Sequence, residues 1–183
     1  MTARKRVGRD AILDAAQQIA VQRGAGRLTL DEVARASGLS KGGLLYHFPG
    51  KEALLQAMLE RLIGQTNTVR EQQEALLGDT RHRTLRALLA TRCSPTVIDP
   101  HVAMAILAAA AEQPALLDPL RAHIGRVRNQ VIEESGDKAE HWLLWAAADG
   151  LLFQQLLGVA PFAESELENM YQALSRLAEE VLS

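Results

Sequence analysis

The stretch SGLSKGGLLYHFPGK, from Ser37 to Lys51, crowds Ser40, Lys41, Tyr46, His47 and Lys51 around a pair of glycines, Gly42 and Gly43. Glycines near a lysine invite comparison with the loops that cradle phosphate. GGLLYHFPGKE does not fit one: the spacing before Gly50-Lys51 fails, and Glu52 stands where a Ser or Thr is needed. The chain has no GxGxxG and no HExxH, and its histidines, His47, His82, His101, His123 and His141, are scattered. Cys93 is the only cysteine, which excludes an internal disulfide and a cysteine zinc site. A lone thiol at a helix end reads as packing rather than as a nucleophile. No metal, no cofactor and no enzymatic activity are expected. What remains is a short cationic helix with an open backbone. Each glycine in it costs about 0.5–1 kcal/mol relative to alanine. Either something must approach closer than a side chain allows, or the two glycines form a turn.

The elements around this stretch follow from periodicity and caps. Ile12, Ala15, Ala16 and Ile19 recur at helical spacing and predict a helix from about Arg9 to Arg23, ended by Gly24. Thr29 and Glu32 form a capping-box pattern, and Leu28 and Val33 are placed for a hydrophobic staple. A second helix therefore begins at Leu30 and ends at Ser37-Gly38, with Gly38 as the left-handed residue. Ser40 caps a third, Lys41 to about Phe48, which Pro49-Gly50 stops. Leu44, Leu45 and Phe48 read as its core side. A fourth begins near Lys51 and runs through Leu62 toward Val69. The order helix, glycine turn, helix is the helix-turn-helix pattern. Further helices are predicted over about 80–92, 100–112, 114–134, 138–158 and 166–182, separated by Pro95, Pro100, Pro114, Gly136 and Pro161.

Composition points the same way. The 183 residues are 48% hydrophobic and rich in helix formers, so an all-α chain is expected. The net charge of -2 conceals an asymmetry. Residues 1–52 hold nine Lys/Arg against five Asp/Glu, a net of +4; the remainder holds eleven against seventeen, a net of -6. A basic head on an acidic body suits a head that meets a polyanion, or is a chance split of a mixed surface. The basic N-terminus is followed by no long apolar run, so no secretory signal is read there. The longest apolar stretch, Trp142 to Phe153, contains Asp149 and reads as a buried helix, not a membrane span. A cytoplasmic protein is expected.

TLDEVARASGLSKGGLLYHFPGKEALLQAM resembles the DNA-binding region of the tetracycline-repressor (TetR) family of bacterial one-component regulators, most strongly from Thr29 to Leu55. AAADGLLFQQL and the final amphipathic helix resemble that family's dimerising helices, and YHFP with AADGL resembles a drug-responsive subgroup. The resemblance implies a three-helix helix-turn-helix head, 1–52, and a larger helical body for ligand binding and dimerisation, 53–183. It implies that Tyr46, His47 and Lys51 contact DNA phosphates. If the third helix enters the major groove, Lys41 reaches a guanine edge or a phosphate, and Gly42 and Gly43 let the backbone approach. Thr29 and Ser40 either cap their helices or present amides to phosphate as well. Tyr46 could instead be half-buried core. Arg4, Lys5, Arg6 and Arg9 form either an arm on DNA or a solvated tail. Leu45 and Gly43 depart from residues common among relatives, so the operator sequence is not readable.

The body offers two faces. In the last helix Leu167, Met170, Tyr171, Leu174, Leu177, Ala178 and Val181 make one stripe, and Ser165 with Glu168 forms a capping-box pattern. The resemblance implies that Leu167, Met170, Leu174, Leu177 and Val181 pack, with the small face of Ala147 and Gly150, into a four-helix interface of a homodimer. The opposite face of the preceding helix carries Trp142, Trp145, Asp149 and Leu152. Aromatic walls with one acid suit a lipophilic cation; alternatively Asp149 is satisfied in the core by Arg121, Arg126 or Arg128. The expected function is a repressor that releases a palindromic double-stranded DNA operator when a hydrophobic small molecule binds. The competing reading is a helical ligand-binding or scaffold protein whose head contacts another protein.

Overall fold

A computed structural model describes residues 3–23, 28–93 and 98–183, with side chains from residue 8 onward. Helices are the only regular elements among the described residues: α1 (Ala3–Arg23), α2 (Leu30–Ala36), α3 (Lys41–His47), α4 (Lys51–Leu77), α5 (Arg83–Cys93), α6 (Pro100–Glu112), a 3-10 turn (Pro114–Leu117), α7 (Asp118–Ser135), α8 (Ala139–Leu156) and α9 (Glu164–Val181). None of these helices is long and apolar enough to cross a membrane.

Several boundaries differ from the periodicity reading, each for a local reason. The α1 backbone is helical from Ala3, six residues before Arg9; its expected stop, Gly24, lies outside the described residues. Gly78 and His82 both take positive φ, 63° and 59°, and hold the chain in a turn until Arg83. Pro114 opens a separate 3-10 turn, so α7 starts at Asp118. The cap of α9 lies before Ser165: Glu166 Oε2 accepts the Ala163 backbone N–H at 2.7 Å. An acid three residues into the helix serves equally from that register.

The chain groups into two compact units, Met1–Leu62 with Ile98–Arg121, and Ile63–Val97 with Ala122–Ser183. In the first, Ile12, Ala15, Ala16 and Ile19 of α1 are all buried, together with Leu28, Val33, Leu44, Phe48, Leu54 and Met58. Leu28 and Val33 are both fully buried, as a staple requires. Helix α6 belongs to this unit, and Gln113 at its C-cap donates to Glu52 Oε1 at 2.6 Å.

In the second unit α5, α8 and α9 share one apolar cluster with Val127 and Val131 of α7. Glu134 receives the start of α5, accepting the Thr84 N–H at 2.9 Å and the Thr84 hydroxyl at 2.7 Å. Cys93 packs against the cluster, and burial pushes its thiol pKa up, as packing rather than nucleophilic chemistry predicts. His82 and His141 are buried edge to face, ring centroids 5.4 Å apart, with His82 Nδ1 2.6 Å from the Ser135 hydroxyl. Burial, then His141, Arg81, Lys138 and Arg86, hold the His82 pKa below its ordinary 6.5. Below about pH 6.5 the unfolded chain thus binds a proton that folded His82 resists, so stability falls as pH drops. A melting-temperature series from pH 7.5 to 5 should show this fall. His82→Asn, which tolerates the positive φ, should flatten it; an unchanged slope would count against His82 as the cause.

Candidate nucleic-acid interface and body cleft

Helices α2 and α3 are joined by a turn built on Gly38, at φ 71°. The backbone N–H groups of Ser37 and Leu39 close onto Val33 O and Ala34 O at 2.9 and 3.0 Å. Thr29 caps α2, its hydroxyl accepting the Glu32 N–H at 3.3 Å. The capping box is only half made, because Glu32 Oε1 turns to Arg23 Nη1 at 3.2 Å. Ser40 caps α3 by accepting the Gly43 N–H at 3.1 Å. Both expected capping roles are therefore realised.

The two glycines answer different needs. A Cβ on Gly43 would sit 3.3 Å from the Ser40 hydroxyl that the cap requires. A Cβ on Gly42 would meet nothing within 4 Å. No packing among the described residues explains Gly42, whose backbone lies on the exposed side of α3.

On that side Lys41, Tyr46 and Lys51 are exposed, Tyr46 at 70%. Tyr46 is thus not core. Lys41 Nζ lies 3.0 Å from Asp31 Oδ1, an exposed pair of the kind worth at most about 1 kcal/mol. Leu45, read as core, is 38% exposed, because α3 buries only Leu44 and, at its C-cap, Phe48. His47 is half-buried, and its Nε2 lies only 3.0 Å from where a Cβ on Gly8 would stand. Its ring meets Tyr46 edge-on, and its buried Nδ1 has no hydrogen-bond partner among the described residues. His47 therefore packs α3 against α1, and Gly8, which sequence reasoning passed over, makes room for it. Arg9 is engaged within the fold, its guanidinium 5.4 Å from the Phe48 ring centroid and 3.8 Å from Glu60. The side chains of Arg4, Lys5 and Arg6 lie outside the described residues.

The second unit contains a cleft walled by α4, α5, α7 and α8, with Arg70, Arg92, His123 and Trp145 in its lining. Of the residues expected to bind ligand, Trp145 lines it; Trp142, Asp149 and Leu152 do not. Asp149 is satisfied, by Arg92 Nε at 2.6 Å and Trp145 Nε1 at 2.8 Å. The buried-partner alternative holds in kind, but the arginine is Arg92 rather than Arg121, Arg126 or Arg128. Trp142 donates to Asp137 at 2.6 Å and lies under the Arg128 guanidinium.

The expected interface residues divide between two surfaces. Leu174 is buried inside the unit, and Leu167 and Met170 pack against the same cluster. Leu177 and Val181 are exposed at 52% and 37%. On α8, Leu143, Ala146, Ala147, Gly150 and Phe153 form an exposed apolar row at helical spacing, with Leu143 at 70% and Phe153 at 50%.

Two sequence families match the chain. The profile described as "Bacterial regulatory proteins, tetR family" covers residues 12–58, and "Tetracyclin repressor-like, C-terminal domain" covers 82–179. The second alone takes in more than half of the chain. The chain belongs to the TetR family of transcriptional regulators. TetR-family members are generally DNA-binding repressors, and the N-terminal match contains the whole Thr29–Lys51 surface. The regulator SrpR of Pseudomonas putida is 43% identical over 51 residues, which are 28% of this chain and 24% of SrpR. The matched segment thus spans about a quarter of that relative. Similarity of fold extends over most of the chain. A transcriptional regulator from Rhodococcus sp. Rha1 superposes with a TM-score of 0.70 at 21% identity, over 94% of this chain and 96% of its own. The multidrug binding protein EbrR, in complex with imidazole, superposes with a TM-score of 0.62 at 24% identity, over 91% and 88%.

Proposed function

We propose that this TetR-family chain is a homodimeric, ligand-responsive repressor. Each copy lays α3 into the major groove of double-stranded operator DNA, and a small molecule in the body causes release. The observation that carries this reading is the exposed side of α3: Lys41 and Tyr46 flank a Gly42 backbone that nothing among the described residues covers. Tyr46 and Lys51 meet phosphates, and Lys41 leaves Asp31 to meet a base edge or phosphate. The caps at Thr29 and Ser40 hold α2 and α3 so that their first amides face the backbone of the duplex. His47 acts by holding Tyr46 in place.

The α8 row from Leu143 to Phe153, with Leu177 and Val181 of α9, supports a two-fold interface in which Gly150 lets helices approach closely. Two heads on one dimer read half-sites about 34–36 Å apart, hence a palindrome. The likeness in fold to EbrR, named as a multidrug binding protein and complexed with imidazole, supports a small-molecule response. Such an effector lowers DNA affinity only by its preference for the released state.

Fragments that the protein selects from sheared genomic DNA test this reading. Nuclease footprinting on them should show two protected half-sites related by two-fold symmetry, one helical turn apart or a multiple of it. Failure to select any fragment, or a single asymmetric half-site, would contradict it.

A further inference from the structure

The cleft of the second unit is electrically one-sided. Its polar lining contains the guanidiniums of Arg70 and Arg92 and the imidazole of His123 and, among the described residues, no carboxylate. The carboxylates that accompany these arginines stand outside the lining. Arg70 pairs with Glu74 and gives Nε and Nη2 to Asn67 Oδ1 at 3.3 and 2.8 Å, while Arg92 gives Nε to Asp149 at 2.6 Å. Both arginines are largely buried, with side-chain exposures of 10% and 19%. Trp145, 8% exposed, and Val127 supply apolar surface in the same lining.

The state of His123 fits that polarity. Burial first, then the positive charges of Arg126, Arg70 and Arg92, hold its pKa below the ordinary value. The charges that move it are all guanidiniums, two of them in the lining itself. A cation entering the cleft would lose hydration and face guanidiniums with no acid in the wall to receive it. An anion would exchange water for charge-assisted hydrogen bonds, which are roughly twice as strong as neutral ones.

We propose that this cleft is the effector site and takes an amphipathic organic acid, its carboxylate toward Arg92 and His123 and its apolar body against Trp145. The proposal rests on reading the chain as ligand-responsive, and it replaces the lipophilic cation suggested by Asp149, which stands outside the lining. The space between the side chains is about 20 Å³, room for about one water molecule. The acid therefore enters an opened form of the cleft. Ile124, 41% exposed, is the most exposed apolar residue of the lining.

The test uses the full chain without DNA and three probes of one shape: 5-phenylpentanoate, its amide, and 5-phenylpentylamine. Binding is read by tryptophan fluorescence in Trp142→Phe, so that Trp145 alone reports, and by thermal shift in the unaltered protein. The acid should bind at least tenfold more tightly than the amine. Arg92→Gln with Asp149→Asn removes both charges while retaining hydrogen-bonding groups. This pair should erase the preference for acid over amide. Amine binding as tight as acid, no binding of the acid at millimolar concentration, or an undiminished acid preference in the paired variant would overturn the proposal. Each of those results leaves DNA recognition standing. Conversely, an acid that binds as stated but leaves DNA affinity unchanged would overturn the ligand-responsive reading and not the chemistry of the cleft.

Discussion

Leu143→Arg combined with Phe153→Arg should convert the dimer to monomers and reduce operator affinity at least a hundredfold. Both side chains stand on the exposed row of α8, at 70% and 50% exposure in the single chain. Their replacement leaves the fold of the unit intact, which circular dichroism and an unchanged melt would verify. In the proposed dimer the same positions lie against a second copy. Arginines buried there without partners cost on the order of several kcal/mol. The DNA penalty follows from valency, since a monomer loses the effective concentration that the first half-site confers on the second head. Sedimentation should show monomers at micromolar concentration. A variant that sediments as a dimer, or an unaltered protein that is already monomeric there, would place the interface elsewhere. Leu174→Arg provides the contrast. Leu174 belongs to the core of its own unit, so that substitution should unfold the unit rather than part the subunits.

Gly42→Ala should move stability and DNA binding in opposite directions. Nothing lies within 4 Å of the added methyl in the free chain, and α3 exchanges a poor helix former for the best one. A gain of about 0.5–1 kcal/mol is expected. On DNA the methyl stands between the α3 backbone and the groove, and affinity should fall tenfold or more. A stabilised variant with full DNA affinity would show that Gly42 is a turn residue only. Gly43→Ala is a weaker probe, because its methyl crowds the Ser40 cap at 3.3 Å and disturbs the helix start itself.

What could be read in advance was whatever is settled between near neighbours in the chain. Thr29 and Ser40 are three residues from the amides they receive, at Glu32 and Gly43, and Gly38 supplies a conformation few other residues accept. Those contacts are local, so their residue types announce them. The buried positions of α1 likewise follow from a period that one core face imposes. Contacts between distant residues carry no such mark. The Arg92–Asp149 pair joins residues 57 apart, and Thr84–Glu134 joins residues 50 apart. Nothing in either neighbourhood names the partner. The inward turn of His47 depends on the absence of a side chain at Gly8, an absence that a motif reading of Tyr46-His47 does not consult. The stripe of α9 was legible as apolar but not as two surfaces. Periodicity reports that Leu174 and Leu177 avoid water, not whether their own subunit or a second copy covers them.

If α3 and its flanks meet the phosphates of DNA, binding releases counterions and weakens as salt rises. On a fragment selected by the protein, the logarithm of the association constant should fall linearly with the logarithm of salt concentration, with a slope of about -0.9 for each phosphate neutralised. Lys41→Ala and Lys51→Ala remove one exposed ammonium each from the surface that carries Tyr46. If each meets a phosphate, each should make the slope shallower by about 1 while weakening binding. Binding that does not change with salt, or a slope that neither substitution alters, would contradict the account.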